Sequence, residues 1–278
     1  MTASLPTTAA PSRRPLASEL ALVGRQATAE LKMLWRNPAR AGFTFAFPLM
    51  FLLIFSLLGG SSPTQTLDGN VGQSTYYLPG IVGYSVLTAC LTNLAISLTN
   101  RRETGILKRK RGTPLPTWAL LAGILISQVA IALVLTVVTS TISILAFDVP
   151  FPRHVPELVG VVLLGAACFS ALGVAMTVVI PNQDSAPAIV NIVVFPLLFL
   201  SGIFFPINNS TLHSISNVLP IARLQQALFD SYAPPLQVGD HVVHASGPNG
   251  GDLLVLAVWL AVGTMVAVRR FRWEPRGR

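Results

Sequence analysis

TWALLAGILISQVAIALVLTVVTSTISILA, residues 117–146, contains no Asp, Glu, Lys or Arg. About 20 apolar residues are enough for an α-helix to cross the hydrocarbon core of a bilayer, so this run predicts a transmembrane helix that is long enough to tilt. Across all 278 residues, 52% are hydrophobic and only 11% are charged, against about 25% charged in soluble domains. Most of the chain is therefore expected to avoid water.

Five further apolar runs lie on either side of this one. They predict spans at about residues 41–58, 77–99, 158–180, 186–205 and 253–268. The sequence therefore predicts an all-α membrane protein with six transmembrane helices, in one domain that covers residues 19–278. Residues 1–18 contain no apolar core, so we expect no signal peptide there. Their Ala, Thr, Pro and Ser content predicts a disordered cytoplasmic tail.

An amphipathic helix is predicted over residues 19–36, directly before the first span. Its apolar positions recur at helical spacing: Leu20, Val23, Ala27, Leu31 and Leu34. Polar residues, Glu30 among them, are expected on its other faces. This pattern fits a helix that lies in the membrane interface and contacts lipid. A surface helix that packs on the rest of the protein is the alternative.

The basic residues are concentrated on one side of the predicted membrane. With six spans, seventeen of the nineteen Lys and Arg residues share a side, and only Arg153 and Arg223 fall on the other. The positive-inside rule then places both termini in the cytoplasm, for a chain in a bacterial inner membrane. Because this distribution accounts for the net charge of +8, no nucleic-acid partner is expected.

The predicted outside loops differ in size. Residues 59–76 are rich in Gly, Ser and Thr, whereas residues 206–252 form a much longer connection. Within the longer one, four residues predict a short amphipathic piece: Leu219, Ile221, Leu224 and Leu228. This piece is expected either to lie on or dip into the outer leaflet, or to pack on the spans.

The predicted spans contain no Asp, Glu, Lys, Arg or His. Transporters driven by protons, and many driven by sodium, use such groups inside the membrane, so another energy source is expected. The chain also lacks the G-x-x-x-x-G-K-[ST] loop that holds nucleotide phosphates, and no spacing indicates a metal site or catalytic group. We therefore expect that it is not an enzyme and holds no cofactor.

Uncharged polar residues do occur in the spans. Four of them are candidates to line a substrate path: Asn93, Ser97, Asn191 and Ser201. Hydrogen bonding between helices is the alternative role for each of them.

The loop after the second span carries the functional signal. Residues 100–116 read NRRETGILKRKRGTPLP. Attraction to anionic lipid accounts for the basic residues. It does not account for the acid at Glu103, the glycine at Gly105 or the turn at 112–114.

This loop resembles that of ABC-2-type permeases, the membrane subunits of one class of ABC exporter. The matching residues are Arg102, Glu103, Thr104, Gly105, Leu107, Thr113 and Pro114. The chain departs from the family pattern at Arg101, where the family often has Glu. After the fifth predicted span, residues 201–206 read SGIFFP, which is similar to the family's Ser-Gly-x-Phe-x-Pro stretch. Within the family, the chain resembles the small drug-resistance permeases of the daunorubicin-resistance type.

The resemblance implies an ABC-2 (type V-like) exporter transmembrane domain. Two copies of a separate ATP-binding subunit would bind ATP and Mg, and a second permease chain, in a homodimer rather than a heterodimer, would complete the substrate path. Residues 102–114, called the coupling segment below, would dock into the ATP-binding subunits together with the 19–36 helix. The substrate would be a hydrophobic or amphipathic small molecule, first a drug or antibiotic, otherwise a lipid, glycolipid or polysaccharide. An ATP-independent channel or a membrane scaffold is the alternative of another class.

Overall fold

The computed structural model describes residues 16–58, 63–66, 69–106, 117–203, 210–232, 236–238, 241–243 and 247–270. The helices in these ranges are α1 (Leu16–Trp35), α2 (Pro38–Leu58), α3 (Gln73–Leu87), α4 (Asn93–Glu103), α5 (Thr117–Phe147), α6 (Val155–Met176), α7 (Ala186–Phe199), α8 (Ser210–Ser216), α9 (Pro220–Tyr232) and α10 (Gly250–Arg270). A π-helical segment, Thr88–Thr92, joins α3 to α4. Helices therefore occupy the amphipathic segment and every apolar run in the sequence.

The predicted α-helical membrane architecture is confirmed. Four helices in the described ranges are long and apolar enough to cross a membrane: Ser74–Glu103, Trp118–Phe147, Val155–Met176 and Gly250–Arg270. Two shorter apolar helices, Thr44–Leu57 and Ala186–Phe199, accompany them. The second of these covers only about 21 Å of a hydrocarbon core of roughly 30 Å. The count of six spans therefore stays a prediction.

Some helix limits differ from the predicted ones. α1 begins at Leu16, so the last residues of the predicted 1–18 tail are helical, and residues 1–15 lie outside the described ranges. α7 ends at Phe199 rather than near residue 205. The reason is a turn in which Gly202 has a φ of 80°, a left-handed conformation that stops an α-helix.

A small antiparallel sheet joins two of the segments that we predicted to be loops. Its strands are β1 (Pro63–Thr66), β2 (Gly69–Gly72), β3 (Leu236–Val238) and β4 (His241–Val243), in the order β1-β2-β3-β4. The two hairpins meet through a pairing of Asn70 with Gln237. Because β2 runs directly into α3, the sheet lies at the end of the bundle at which α3 begins.

α9 packs into the helical core, which decides between the two alternatives for the amphipathic piece. Its apolar side chains are fully buried against α3, α6 and α10: Ile221, Leu224, Ala227 and Leu228. Gly165 in α6 makes room for this helix, because a Cβ there would lie 2.6 Å from a methyl carbon of Leu224. The piece thus packs on the neighbouring helices.

Gly173 of α6 passes very close to the π segment, so we expect Gly173→Ala to destabilise the protein. An added Cβ would lie 2.8 Å from the carbonyl oxygen of Cys90 and 3.0 Å from that of Leu91. Since backbone atoms cannot move aside cheaply, the expected cost is about 1–3 kcal/mol. Gly160→Ala is the control, because its Cβ would meet nothing within 4 Å. Thermal unfolding of both variants in detergent tests this, and equal melting temperatures would contradict the close approach.

Candidate functional site

Two consecutive arginines at the end of α4 are buried and reach different elements. Arg101 is 9% exposed and Arg102 is 3% exposed. Neighbouring positions on an α-helix are about 100° apart, so the two side chains leave α4 in different directions. A buried guanidinium is costly unless it is paired, and both of these are.

Arg101 forms a buried ion pair with Glu30 of α1. The two terminal nitrogens of Arg101 donate to the two carboxylate oxygens of Glu30 at 2.7 and 2.5 Å. Gln26 donates to the same carboxylate at 2.6 Å, and the Nε of Arg101 donates to Ser97 at 3.2 Å. This bidentate geometry fixes both side chains and satisfies most of their hydrogen-bonding groups.

Glu30 therefore lies on a different face of α1 from the one we predicted. It shares the buried face with Val23, Ala27 and Leu34, and α1 packs with this face against α5. The pairing with Arg101 explains how a carboxylate can occupy this position. At the contact with α5, a Cβ on Gly123 would lie only 2.6 Å from the side chain of Gln26.

The other predicted apolar positions of α1 are less enclosed. Leu31 is half-buried and Leu20, near the beginning of α1, is 66% exposed. Trp35 is exposed to the same extent and stacks on Phe45 of α2. A position of this helix in the membrane interface stays a prediction.

Arg102 binds the backbone at the end of α6. Its terminal nitrogens donate to the carbonyl oxygens of Thr177 and Ile180, both at 2.9 Å, and to that of Pro181 at 3.4 Å. A helix leaves its last carbonyls without intrahelical partners and carries partial negative charge there, so an arginine is a favourable cap. Arg102 thereby connects the end of α4 to the connection between α6 and α7.

The described part of the coupling segment, residues 102–106, begins in the last turn of α4. The carboxylate of Glu103 accepts a hydrogen bond from the Nε of Arg102 at 3.2 Å, and Thr104 is exposed. Gly105 has a φ of 69° and donates its N–H to the carbonyl of Arg102. No atom of the described residues would contact a Cβ on Gly105, so the left-handed φ is what favours glycine. Leu107, Thr113 and Pro114 lie outside the described residues.

We expect the effect of a substitution at Gly105 to depend on whether the new residue tolerates a positive φ, and not on the size of its side chain. Gly105→Val should cost about 1–2 kcal/mol locally and turn the coupling segment away from α4, since β-branched residues disfavour positive φ. Gly105→Asn should retain most function, because Asn tolerates this conformation. Binding of an ATP-binding subunit to each variant tests this. Equal loss for the two variants would show that backbone conformation is not what matters.

The four candidate path residues have different surroundings. Asn93 is half-buried, and Ser97 is engaged with Arg101. Asn191 is exposed on α7. Ser201 is buried and donates to the carbonyl of Leu198, which closes the turn after α7. A role for any of them in a path stays a prediction.

α7 is held at both ends and exposed along one side. Arg102 binds the connection before it, and the carbonyl of Gly202 behind it accepts hydrogen bonds from Tyr76 and Gln225 at 3.1 and 3.4 Å. One face is buried through Ala186, Val190, Val194 and Leu198. The opposite face exposes Ile192 and Phe195 at 71% and 55%. This face is apolar and is not covered by any described part of the chain.

A second polar cluster lies near the start of α10 and was missed in the sequence analysis. Arg223 of α9 donates to the buried carboxylate of Asp252 at 2.6 Å and to the carbonyl of Asn217 at 2.6 Å. The only signal in the sequence was that Arg223 is one of two basic residues on its predicted side. This ion pair connects α9 to α10.

A buried hydroxyl pair ties α9 to α5 as well. Tyr232, at the end of α9 and outside the candidate spans, shares a short hydrogen bond with Ser140 of α5. Burial raises the pKa of the Tyr232 phenol to about 12, although the bond to Ser140 opposes this, so the hydroxyl keeps its proton. α9 is thus anchored on two sides.

Comparison with known proteins gives a match to a protein family and to individual relatives. Residues 25–232 match the family described as ABC-2 type transporter. The chain is 29% identical over 165 residues to the inner membrane transport permease YadH of Escherichia coli strain K12, which covers 58% of this chain and 64% of YadH. It is 30% identical over 190 residues to the daunorubicin resistance ABC transporter permease protein DrrB1 of Streptomyces coeruleorubidus, 64% of each chain. The chain thus spans less than two thirds of these relatives, and the family match includes both arginines.

Proposed function

Because the chain belongs to the ABC-2 type transporter family, we propose that it is the transmembrane permease subunit of an ATP-driven ABC exporter. The resemblance seen in the sequence is confirmed by this match. The observation that carries the proposal is the structure at the end of α4. There, two buried arginines hold the start of the coupling segment against α1 and α6, while Thr104 and Ile106 stay exposed. A docking element needs this combination of a rigid base and a free surface.

The relatives and the apolar helices indicate a multi-pass inner-membrane protein. We place both termini in the cytoplasm, as the distribution of Lys and Arg predicts. In this orientation, the coupling segment and the outer face of α1 are on the side where ATP is available. The sheet and α9 are then at the opposite surface of the membrane.

The proposed assembly contains further chains. Two copies of an ATP-binding subunit bind ATP and Mg and carry out hydrolysis, while this chain has no catalytic role. A second copy of the permease covers the exposed apolar face of α7, and Asn191 on that face is then near the substrate path between the two copies. The homodimer is supported by the exposed apolar side chains of Ile192 and Phe195, which a second copy would cover.

The proposed substrate is a hydrophobic or amphipathic compound. An uncharged path suits a molecule that enters from the inner leaflet, and the name of DrrB1 points to a drug. A lipid, glycolipid or polysaccharide is the second candidate within the same family. An ATP-independent channel or scaffold is the alternative of another class, and it predicts that no ATP-binding subunit associates.

Coexpression with an ATP-binding subunit encoded next to this gene tests the proposal. In nanodiscs, we expect a stable complex with ATPase activity, and cells that carry both chains should accumulate less daunorubicin. Glu103→Lys should weaken association by about tenfold, because it reverses a charge at the docking surface. Glu157→Lys, an exposed acid at the opposite end of the bundle, is the matched control. Failure of any ATP-binding subunit to associate with the wild-type chain would refute the exporter assignment.

A further inference from the structure

Docking alone does not explain why adjacent arginines bind two separate elements. One buried arginine would be enough to fix the base of the coupling segment. Instead, Arg101 binds a side chain of α1, and Arg102 binds backbone carbonyls that follow α6. The end of α4 is thereby connected to parts of the chain that are 71 and 75 residues away in sequence.

We propose that Arg101 and Arg102 are positioning residues that make α1, the coupling segment and the start of α7 move as one body. This proposal rests on the proposed function and specifies how displacement of the coupling segment reaches the apolar face of α7. The contacts of Arg101 connect the end of α4 to α1, and the contacts of Arg102 connect it to the start of α7.

The connection through Arg101 is rigid because its contact with Glu30 is bidentate. Two parallel hydrogen bonds to Glu30 fix the relative orientation of α4 and α1, and Ser97 holds the third nitrogen of the guanidinium. Gln26 fixes the carboxylate from the side of α1 and packs against Gly123 of α5. Displacement of the end of α4 therefore displaces α1.

The connection through Arg102 reaches residues close to the first residue of α7. Ile180 and Pro181 accept its hydrogen bonds, and α7 begins five residues further on at Ala186. One face of α7 packs on the described part of the chain, and the carbonyl of Gly202 is held behind its far end, so we expect the displacement to be largest at its start. The residues that would move are those of the exposed face, which includes Ile192 and Phe195.

The π segment provides a pivot for this movement. It separates α4, 11 residues long, from α3, and both helices contribute fully buried residues to the core. π segments within α-helices often mark functional sites, because their wider turn weakens the helical hydrogen-bond pattern. Gly173 of α6 packs closely on the backbone of this segment, so we place here the point about which α4 would tilt.

Hydrogen–deuterium exchange of the full chain alone in nanodiscs tests the two contacts. We expect Glu30→Gln to speed exchange in α1 by about tenfold, and Arg102→Met to do the same in residues 177–190 without affecting α1. The exchanged pair Glu30→Arg with Arg101→Glu should restore protection of α1. If Arg102→Met leaves exchange in residues 177–190 unchanged, the proposed connection to α7 does not exist. This first experiment needs no ATP-binding subunit.

The second experiment uses the complex with the ATP-binding subunit and a non-hydrolysable ATP analogue. In the wild type, the analogue should change exchange at the start of α7. The change is compared only in isolated complexes, so that any loss of docking is counted separately. In the Arg102→Met complex it should fall by about tenfold, and Arg102→Lys should restore part of it. An undiminished response in Arg102→Met would overturn the inference and leave the exporter assignment intact. If the wild-type chain binds no subunit, the proposed function fails and the inference fails with it.

Discussion

Glu30→Ala is expected to destabilise the protein by about 3–5 kcal/mol, because it leaves the guanidinium of Arg101 buried without its counter-charge. Both side chains are almost completely enclosed, so solvent does not screen the loss. α1 should detach from α4 as a result, and association with an ATP-binding subunit should fall with it. Chemical unfolding in detergent and copurification measure the two effects.

A double substitution distinguishes the loss of the ion pair between Glu30 and Arg101 from the cost of leaving one charge buried without a partner. In Glu30→Ala with Arg101→Leu, the buried charge is gone, so most of the stability should return. Docking should not return, because the bidentate link between α1 and α4 is missing. Glu103→Ala is the control for the unfolding measurement, since its ion pair with Arg102 is partly exposed and should contribute less than about 1 kcal/mol of stability. Equal effects of Glu30→Ala and Glu103→Ala would show that Glu30 is not paired as described.

The apolar pattern of the sequence was sufficient to locate the helices. The run at 117–146 matches Thr117–Phe147 within one residue, because a helix inside a membrane must be built from apolar residues. The pattern could not give the partners of α9, since an amphipathic sequence defines an apolar face but not what covers it. The sheet was also missed, because its strands are three or four residues long and too short to show an alternating pattern.

The coupling site could be predicted only in part. The resemblance singled out Arg102, Glu103 and Gly105, whose coupling role stays a prediction, but it did not give the contacts that hold them. Glu30 was assigned to a polar face by its residue type, because nothing in one sequence pairs it with an arginine 71 residues away. The acceptors of Arg102 are backbone carbonyls, which every residue has, so no side-chain pattern signals them.

The departure from the family pattern at Arg101 has a structural explanation. Where the resemblance leads us to expect an acid at the end of α4, this chain has a base, and the acid is Glu30 in α1. The pair therefore has its negative charge on α1 and its positive charge on α4. An isolated Arg101→Glu substitution, which would restore the family residue, should place two carboxylates together and repel α1.

Phe195→Arg is expected to abolish the proposed homodimer. Phe195 lies on the apolar face of α7 that no described part of the chain covers, and it is 55% exposed. If two copies meet through this face, the substitution places two cations opposite each other in a region without water. Like charges that face each other where no water screens them repel strongly, and this repulsion is absent from the monomer. The wild type should therefore be a dimer in nanodiscs, whereas the variant should be a monomer.

Mass photometry of both proteins measures this directly, and a matched control tests whether the position matters. Phe151→Arg introduces the same charge at a residue that is 68% exposed, in the connection between α5 and α6. It should leave the dimer intact, because a charge at the end of the bundle can reach water. A dimer that survives Phe195→Arg would show that the copies meet elsewhere. The face of α7 would then contact lipid, and Asn191 could not lie beside a path between two chains.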